Sequence, residues 1–343
     1  RSHAHSQAIT HTFRTAGRGV LRDTYDVAIK KMFQVTVTKK DLETDSEIRF
    51  LQRARHPRLV MFLGCGYMDE KKENIFLVLE FCDGGDYSTY LHAEKERPWS
   101  ERLLLLQDVA EGIEYLHLVL HSIHRDLKSD NVLLRHEKRT NMLRAKIGDF
   151  GLSKLRKNMY EKDSRTPKED KNMQEMSSKR DSNIFSSTNS TMTSGVGTPI
   201  YMAPEIAKHT QFGKESQYSA KVDVYAFAII MWETLERTLP WKSYKFSHEV
   251  LDAVVRGDRP TVQSRSLYSA PKNYVSLMKS SWSQDSNQRP SFDKIHLQLK
   301  DIRAELYRSE SRGSFEKRKE EEVVQSPSRP RPRPKPRPRP RTK

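Results

Sequence analysis

The apolar residues of this chain change their spacing near residue 100, and that change limits the folds open to it. Before residue 90 they fall in short runs: YDVAIKKMF and NIFLVLEF, rich in Val, Ile and Phe, read as strands. Between them LETDSEIRFLQRA carries Ile48, Leu51 and Gln52 at helical spacing with acids early, and His56-Pro57 is expected to end that helix. From residue 100 the spacing turns helical. SERLLLLQDVAEGIEYLHLVL starts at Ser100, the expected N-cap. SAKVDVYAFAIIMWETLER reads as a second, deeply buried helix, and HEVLDAVVRG, PKNYVSLMKSSW and FDKIHLQLKDIRAELYR as further ones. The expectation is an α+β chain, a small mixed lobe followed by a larger, mainly helical one.

Two segments stand outside this pattern. Only 35% of the 343 residues are core-forming, so part of the chain is expected to be solvated. Residues 156–194 are polar and hold twelve Ser or Thr with charges of both signs; they are expected to be disordered when unmodified. Residues 326–343 alternate proline with basic residues, which favours extended polyproline-type chain. That tail accounts for much of the net charge of +16, since residues 329–343 hold eight Arg or Lys and no acid. Two cysteines, Cys65 and Cys82, lack metal-ligand spacing and point to a reducing, intracellular and cytoplasmic setting. No apolar run approaches the roughly 20 residues of a spanning helix. The chain opens RSHAHSQ without Met, which suggests a fragment or an incomplete gene model.

Five motifs lie in order along this frame: VAIK (27–30) on a strand, EIRFL with Glu47 on the next helix, HRDLKSDN (124–131) after a long helix, DFG (149–151) after AKIG, and GTPIYMAPE (197–205). One such tripeptide is weak; five in order on the right elements are not. Here the chain resembles a protein kinase, and the resemblance implies the bilobal kinase fold over residues 5–306, with a small lobe over about 5–82, a larger one over 83–306, and 156–194 inserted in the activation segment. Residues 307–343 are left as a disordered basic tail.

The resemblance implies ATP and Mg²⁺. Phosphoryl transfer is a matter of holding a polyanion and placing a hydroxyl in line with it. Lys30 would neutralise the α- and β-phosphates and Glu47 would steady it. Asp149 and Asn131 would be the metal ligands. Asp126 would accept the hydroxyl proton and Lys128 would offset charge near the γ-phosphate. Ala28 and Leu133 would sandwich the adenine, Leu79 would guard the back of the pocket, and Glu80 to Cys82 would form the hinge. Glu205 and Arg289 resemble a buried ion pair, and Asp223 the residue that holds the HRD backbone. His124 reads as structural and Cys82 as a packed thiol.

HRDLK and GTPIYMAPE resemble the serine/threonine type, while HPRLVMFLGCGY, KVDVYAFAIIMWE and SWSQDSNQRPSF resemble the tyrosine-kinase-like branch. The implied label is a tyrosine-kinase-like serine/threonine kinase with a protein substrate, working in signalling; dual specificity stays open. One motif departs. Counting back from VAIK puts the glycines of a phosphate loop near His5, Gln7 and Thr10, and none is glycine. Gly19 is assigned to the turn after the second expected strand. Three accounts are open: the true loop lies in sequence not present here, the loop is degenerate, or the chain is a catalytically weak or inactive scaffold. The insert reads either as an unselected expansion or as a phosphoregulated segment, in which Thr191, Thr193 and Ser194 are candidate sites and Arg125 the residue that would pair with the phosphate. The tail is a solvated linker, a ligand of proline-recognising modules or a binder of anionic surfaces.

Overall fold

The computed structural model describes residues 16–21, 25–32, 46–68, 75–149, 154–155, 198–212 and 219–325. The expectations for the stretch before residue 16, for the 156–194 insert and for the 326–343 tail lie outside these residues.

The first half of the frame is a four-stranded antiparallel sheet in the order β1-β2-β4-β3: β1 (Ala16–Leu21), β2 (Tyr25–Met32), β3 (Phe62–Tyr67) and β4 (Ile75–Glu80). Helix α1 (Ser46–Arg53) precedes β3 and buries Phe50 and Leu51. Gly19 is not in a turn. It pairs with Val27 in the middle of β1. The small residue there answers to packing: a Cβ on Gly19 would come within 2.6 Å of the Ile29 Cδ1.

The second half is helical: α2 (Tyr87–His92), α3 (Trp99–Leu118), α4 (Pro204–Phe212), α5 (Lys221–Glu236), α6 (Ser247–Arg256), α7 (Ser264–Ser269), α8 (Tyr274–Ser281) and α9 (Phe292–Gln325). Among them run short strands, of which β5 (Ser122–Ile123), β6 (Val132–His136) and β7 (Leu143–Ile147) carry the site; β8 (Lys154–Leu155) pairs with β5. Every residue of α5 from Val222 to Glu236 is buried, as befits a helix apolar on all sides.

Two boundaries differ from expectation. Helix α3 begins at Trp99 with Pro98 at the cap, because the N–H groups of Glu101 and Arg102 already reach the Pro98 carbonyl, so Ser100 lies inside the helix. Helix α9 continues to Gln325, so the tail does not begin at 307. The Glu- and Lys-rich FEKRKEEE is a good helix former, and the first proline stands only at Pro327.

The halves are joined by backbone. Val60 N–H donates to the Ile147 carbonyl at 2.8 Å and Ile147 N–H to Arg58 at 2.8 Å, so residues 58–60 run along β7. Helix α3 comes close there because Gly112 has no side chain: a Cβ would meet Ile147 Cδ1 at 2.6 Å. Asp108, on the same helix, is buried between Arg58 (3.0 Å) and Arg144 (2.6 Å).

Candidate active site

Asp126 follows β5 in a loop that doubles back into β6. The loop is set by Asp223 near the start of α5. One oxygen of the Asp223 carboxylate accepts the N–H of His124 at 2.8 Å and the other accepts that of Arg125 at 2.9 Å. Arg125 is thereby held at φ +70°, a left-handed conformation that a residue with a side chain rarely adopts. Burial alone would push the Asp223 carboxyl up, but the bonds from His117, at 2.7 Å, and from the His124 backbone hold it below the usual carboxylate range. His124 is fully buried, with Nε2 3.0 Å from the Gly148 carbonyl.

Within the loop three expected residues meet. Lys128 Nζ lies 2.9 Å from Asp126 Oδ2. Asn131 Nδ2 donates to the Asp126 carbonyl at 2.7 Å and to Oδ2 at 3.1 Å. The Asn131 carbonyl in turn accepts the Gly148 N–H at 2.8 Å, tying this loop to the segment that carries Asp149. Asp149 sits at φ +56°, and its Oδ1 lies 2.6 Å from Lys30 Nζ. That pair spans the cleft from the sheet to the helical half. Glu47 lies on α1, but its side chain is outside the described residues.

Register places the residues expected around the base. Ala28 pairs with Leu79 across β2 and β4. Leu133, on β6, bridges to Asp86 just past the hinge. Burial pushes the Cys82 thiol up to about 12, so it stays protonated and packed. Glu80 opens the expected hinge. Its carboxylate is buried and faces Arg135, Lys146 at 3.0 Å and the Met61 N–H at 3.1 Å. The side chain thus belongs to the scaffold, and any contact from Glu80 to a ligand comes from its backbone.

The other expected pairing is present. Arg289, fully buried, grips Glu205 with two bonds of 2.7 and 2.8 Å and lies over the Tyr225 ring. A further network was not visible in the sequence. Ser129, between Lys128 and Asp130, bonds Tyr201 at 2.9 Å; Tyr201 donates to the fully buried Glu233 at 2.8 Å; and His92 stands 3.3 Å from Glu233. Burial pushes the Glu233 carboxyl up to about 8 and the His92 imidazole down, so both favour their neutral forms.

A scan for known domains matches the protein kinase domain over residues 16–298. The chain belongs to the protein kinase family. This kinase is 33% identical over 261 residues to the serine/threonine-protein kinase VIK of Arabidopsis thaliana, covering 76% of its own length and 50% of the relative. It is 31% identical over 271 residues to the receptor-interacting serine/threonine-protein kinase 2 of Bos taurus, covering 77% and 43%. It is 27% identical over 273 residues to the mitogen-activated protein kinase kinase kinase 7 of Drosophila melanogaster, covering 78% and 33%. The kinase thus spans half or less of the length of these relatives.

The donor set fits a magnesium nucleotide. Among the described residues no three His, Cys, Asp or Glu side chains converge as a metal centre. A hard ion held by Asp149 and Asn131 would need phosphate oxygens and water to complete its shell, which is how magnesium is usually bound in such sites. Asn131 directs its amide nitrogen at Asp126, so its amide oxygen is the atom that would meet such an ion.

Proposed function

We propose that this kinase transfers the γ-phosphate of ATP to serine or threonine hydroxyls of proteins. One observation carries the reading: the Lys30–Asp149 pair closes the cleft at 2.6 Å while Asp126, Lys128 and Asn131 meet in the loop beside it. Ala28, Leu79 and Leu133 enclose the base, with the backbone of Glu80 to Cys82 along its edge. Lys30 binds the α- and β-phosphates and, with its amine on Asp149, keeps that carboxylate near them. Magnesium held by Asp149 and Asn131 would neutralise phosphate charge during transfer. Asp126 accepts the proton of the incoming hydroxyl, oriented by Asn131. Lys128, beside it, offsets charge on the moving phosphoryl group.

The serine/threonine assignment is supported by HRDLK with Lys128 and by relatives whose names carry that specificity. An intracellular role in signalling agrees with Cys65 and Cys82, both free thiols. No helix among the described residues is long and apolar enough to cross a membrane. A second reading, a weakly active scaffold, is favoured by the absence of glycine at positions 5, 7 and 10. Measuring Mg²⁺-dependent transfer from ATP by the wild type and by Asp126→Asn separates them: transfer by the wild type alone supports the enzyme, and nucleotide binding without transfer by either supports the scaffold.

A further inference from the structure

Lys30 reaches across to Asp149, so the face of β2 that bears Lys30 is the face that looks into the cleft. Side chains alternate along a strand, which puts Ala28 and Asp26 on that same face. Arg18 is the register partner of Ala28 and shares it. Lys30 and Asp26 are four positions apart, about 13 Å along the strand, room for one nucleoside. The cleft is therefore asymmetric. Its inner end carries the Lys30–Asp149 pair, and its outer end carries Arg18 and Asp26.

The outer end is organised. Arg18 Nε and Nη2 donate to the two oxygens of Asp26 at 2.9 and 2.8 Å, a fork that fixes the guanidinium plane. Its carbon lies 5.1 Å from the centre of the Phe81 ring, in the hinge. The hydrogen bond to Arg18 holds the Asp26 carboxyl below its ordinary range. An exposed ion pair adds little to stability, so stability is a poor reason for this arrangement. Its position at the mouth, touching the hinge, is a better one.

We propose that Arg18 is a nucleotide-positioning residue: its guanidinium, held by Asp26 and seated on Phe81, covers the outer part of an adenine base whose phosphates reach Lys30. A planar cation and a purine face attract as a cation does an aromatic ring. The inference rests on the reading of the cleft as an ATP site.

The test is to titrate the wild type, Arg18→Ala and Arg18→Lys with ATP and with adenosine by calorimetry, and to melt each protein without nucleotide. Arg18→Ala is expected to raise Kd about two- to fivefold for both ligands, a typical exposed cation–π effect. Arg18→Lys is expected to lose as much, because an ammonium cannot reproduce the planar fork. Melting should be unchanged. Unaltered affinity in Arg18→Ala, a loss confined to ATP, full affinity in Arg18→Lys, or a fall in melting temperature that tracks the lost affinity would each overturn the proposal. A wild type that binds neither ligand would overturn the ATP-site reading itself.

Discussion

The amine of Lys30 and the carboxylate of Asp149 meet at 2.6 Å, although 119 positions separate them in the chain. Lys30 is carried by a rigid strand of the sheet. Asp149 follows β7, whose backbone is bonded to residues 58–60 on one side and, through Gly148, to Asn131 on the other. The pair therefore brings strand β2, the segment after β7 and the loop that holds Asn131 to one point.

Replacing Lys30 by Met should separate phosphate binding from base binding. ATP affinity should fall while adenosine affinity holds, since Lys30 lies at the inner end of the cleft. Transfer should drop by about 10²-fold or more, the usual cost of removing one preorganised charge. Calorimetry with both ligands and a transfer assay check this; equal loss for ATP and adenosine would place Lys30 elsewhere.

Asp223 should matter to folding as well as to catalysis. Asp223→Ala leaves the buried His124 N–H and the part-buried Arg125 N–H without their acceptor, a cost of about 3 kcal/mol or more. Denaturant unfolding measures it. Below the melting range, transfer should still be reduced, because Arg125 loses what holds its φ at +70° one residue before Asp126. A variant of normal stability and rate would refute this coupling.

Glu233 predicts a pH effect with a definite sign. Its folded carboxyl is raised to about 8, against about 4.3 in an unfolded chain. Its contribution to stability is complete below the unfolded value and is lost as pH rises toward 8. Over that window the wild type should lose up to about 1.4 kcal/mol per pH unit relative to Glu233→Gln, which stays neutral. Melting curves of both proteins between pH 5 and 8 should therefore diverge; parallel curves would mean that Glu233 is ionised in the fold.

Much of this site can be read in the chain because its parts are local. HRDLKSDN places Asp126, Lys128 and Asn131 within six positions, and the loop that gathers them is short. Residue type also marked the long-range pairs of Asp223 with the loop and of Arg289 with Glu205, because they stand in motifs. What stayed hidden depends on tertiary register. Nothing in the letters at 18, 26 and 81 says that a two-strand register and a hinge will stack them. His92 and Glu233 meet only because α2 packs beside α5. Gly19 reads as a turn residue until pairing with Val27 shows it in a strand. Glu80 reads as a hinge residue, but no local signal says that Arg135 and Lys146 meet on its carboxylate. The helix past residue 306 is carried by intrinsic propensity with no apolar stripe to announce it.

The most direct measurement is transfer of labelled γ-phosphate from Mg²⁺-ATP to a generic protein substrate by the wild type and by Asp126→Asn. Asp126 lies against Lys128 and Asn131, and the amide keeps its shape while removing its basicity. The wild type should yield phosphoserine or phosphothreonine, and transfer by the variant should fall by about 10²-fold or more. Equal transfer by both proteins would contradict it.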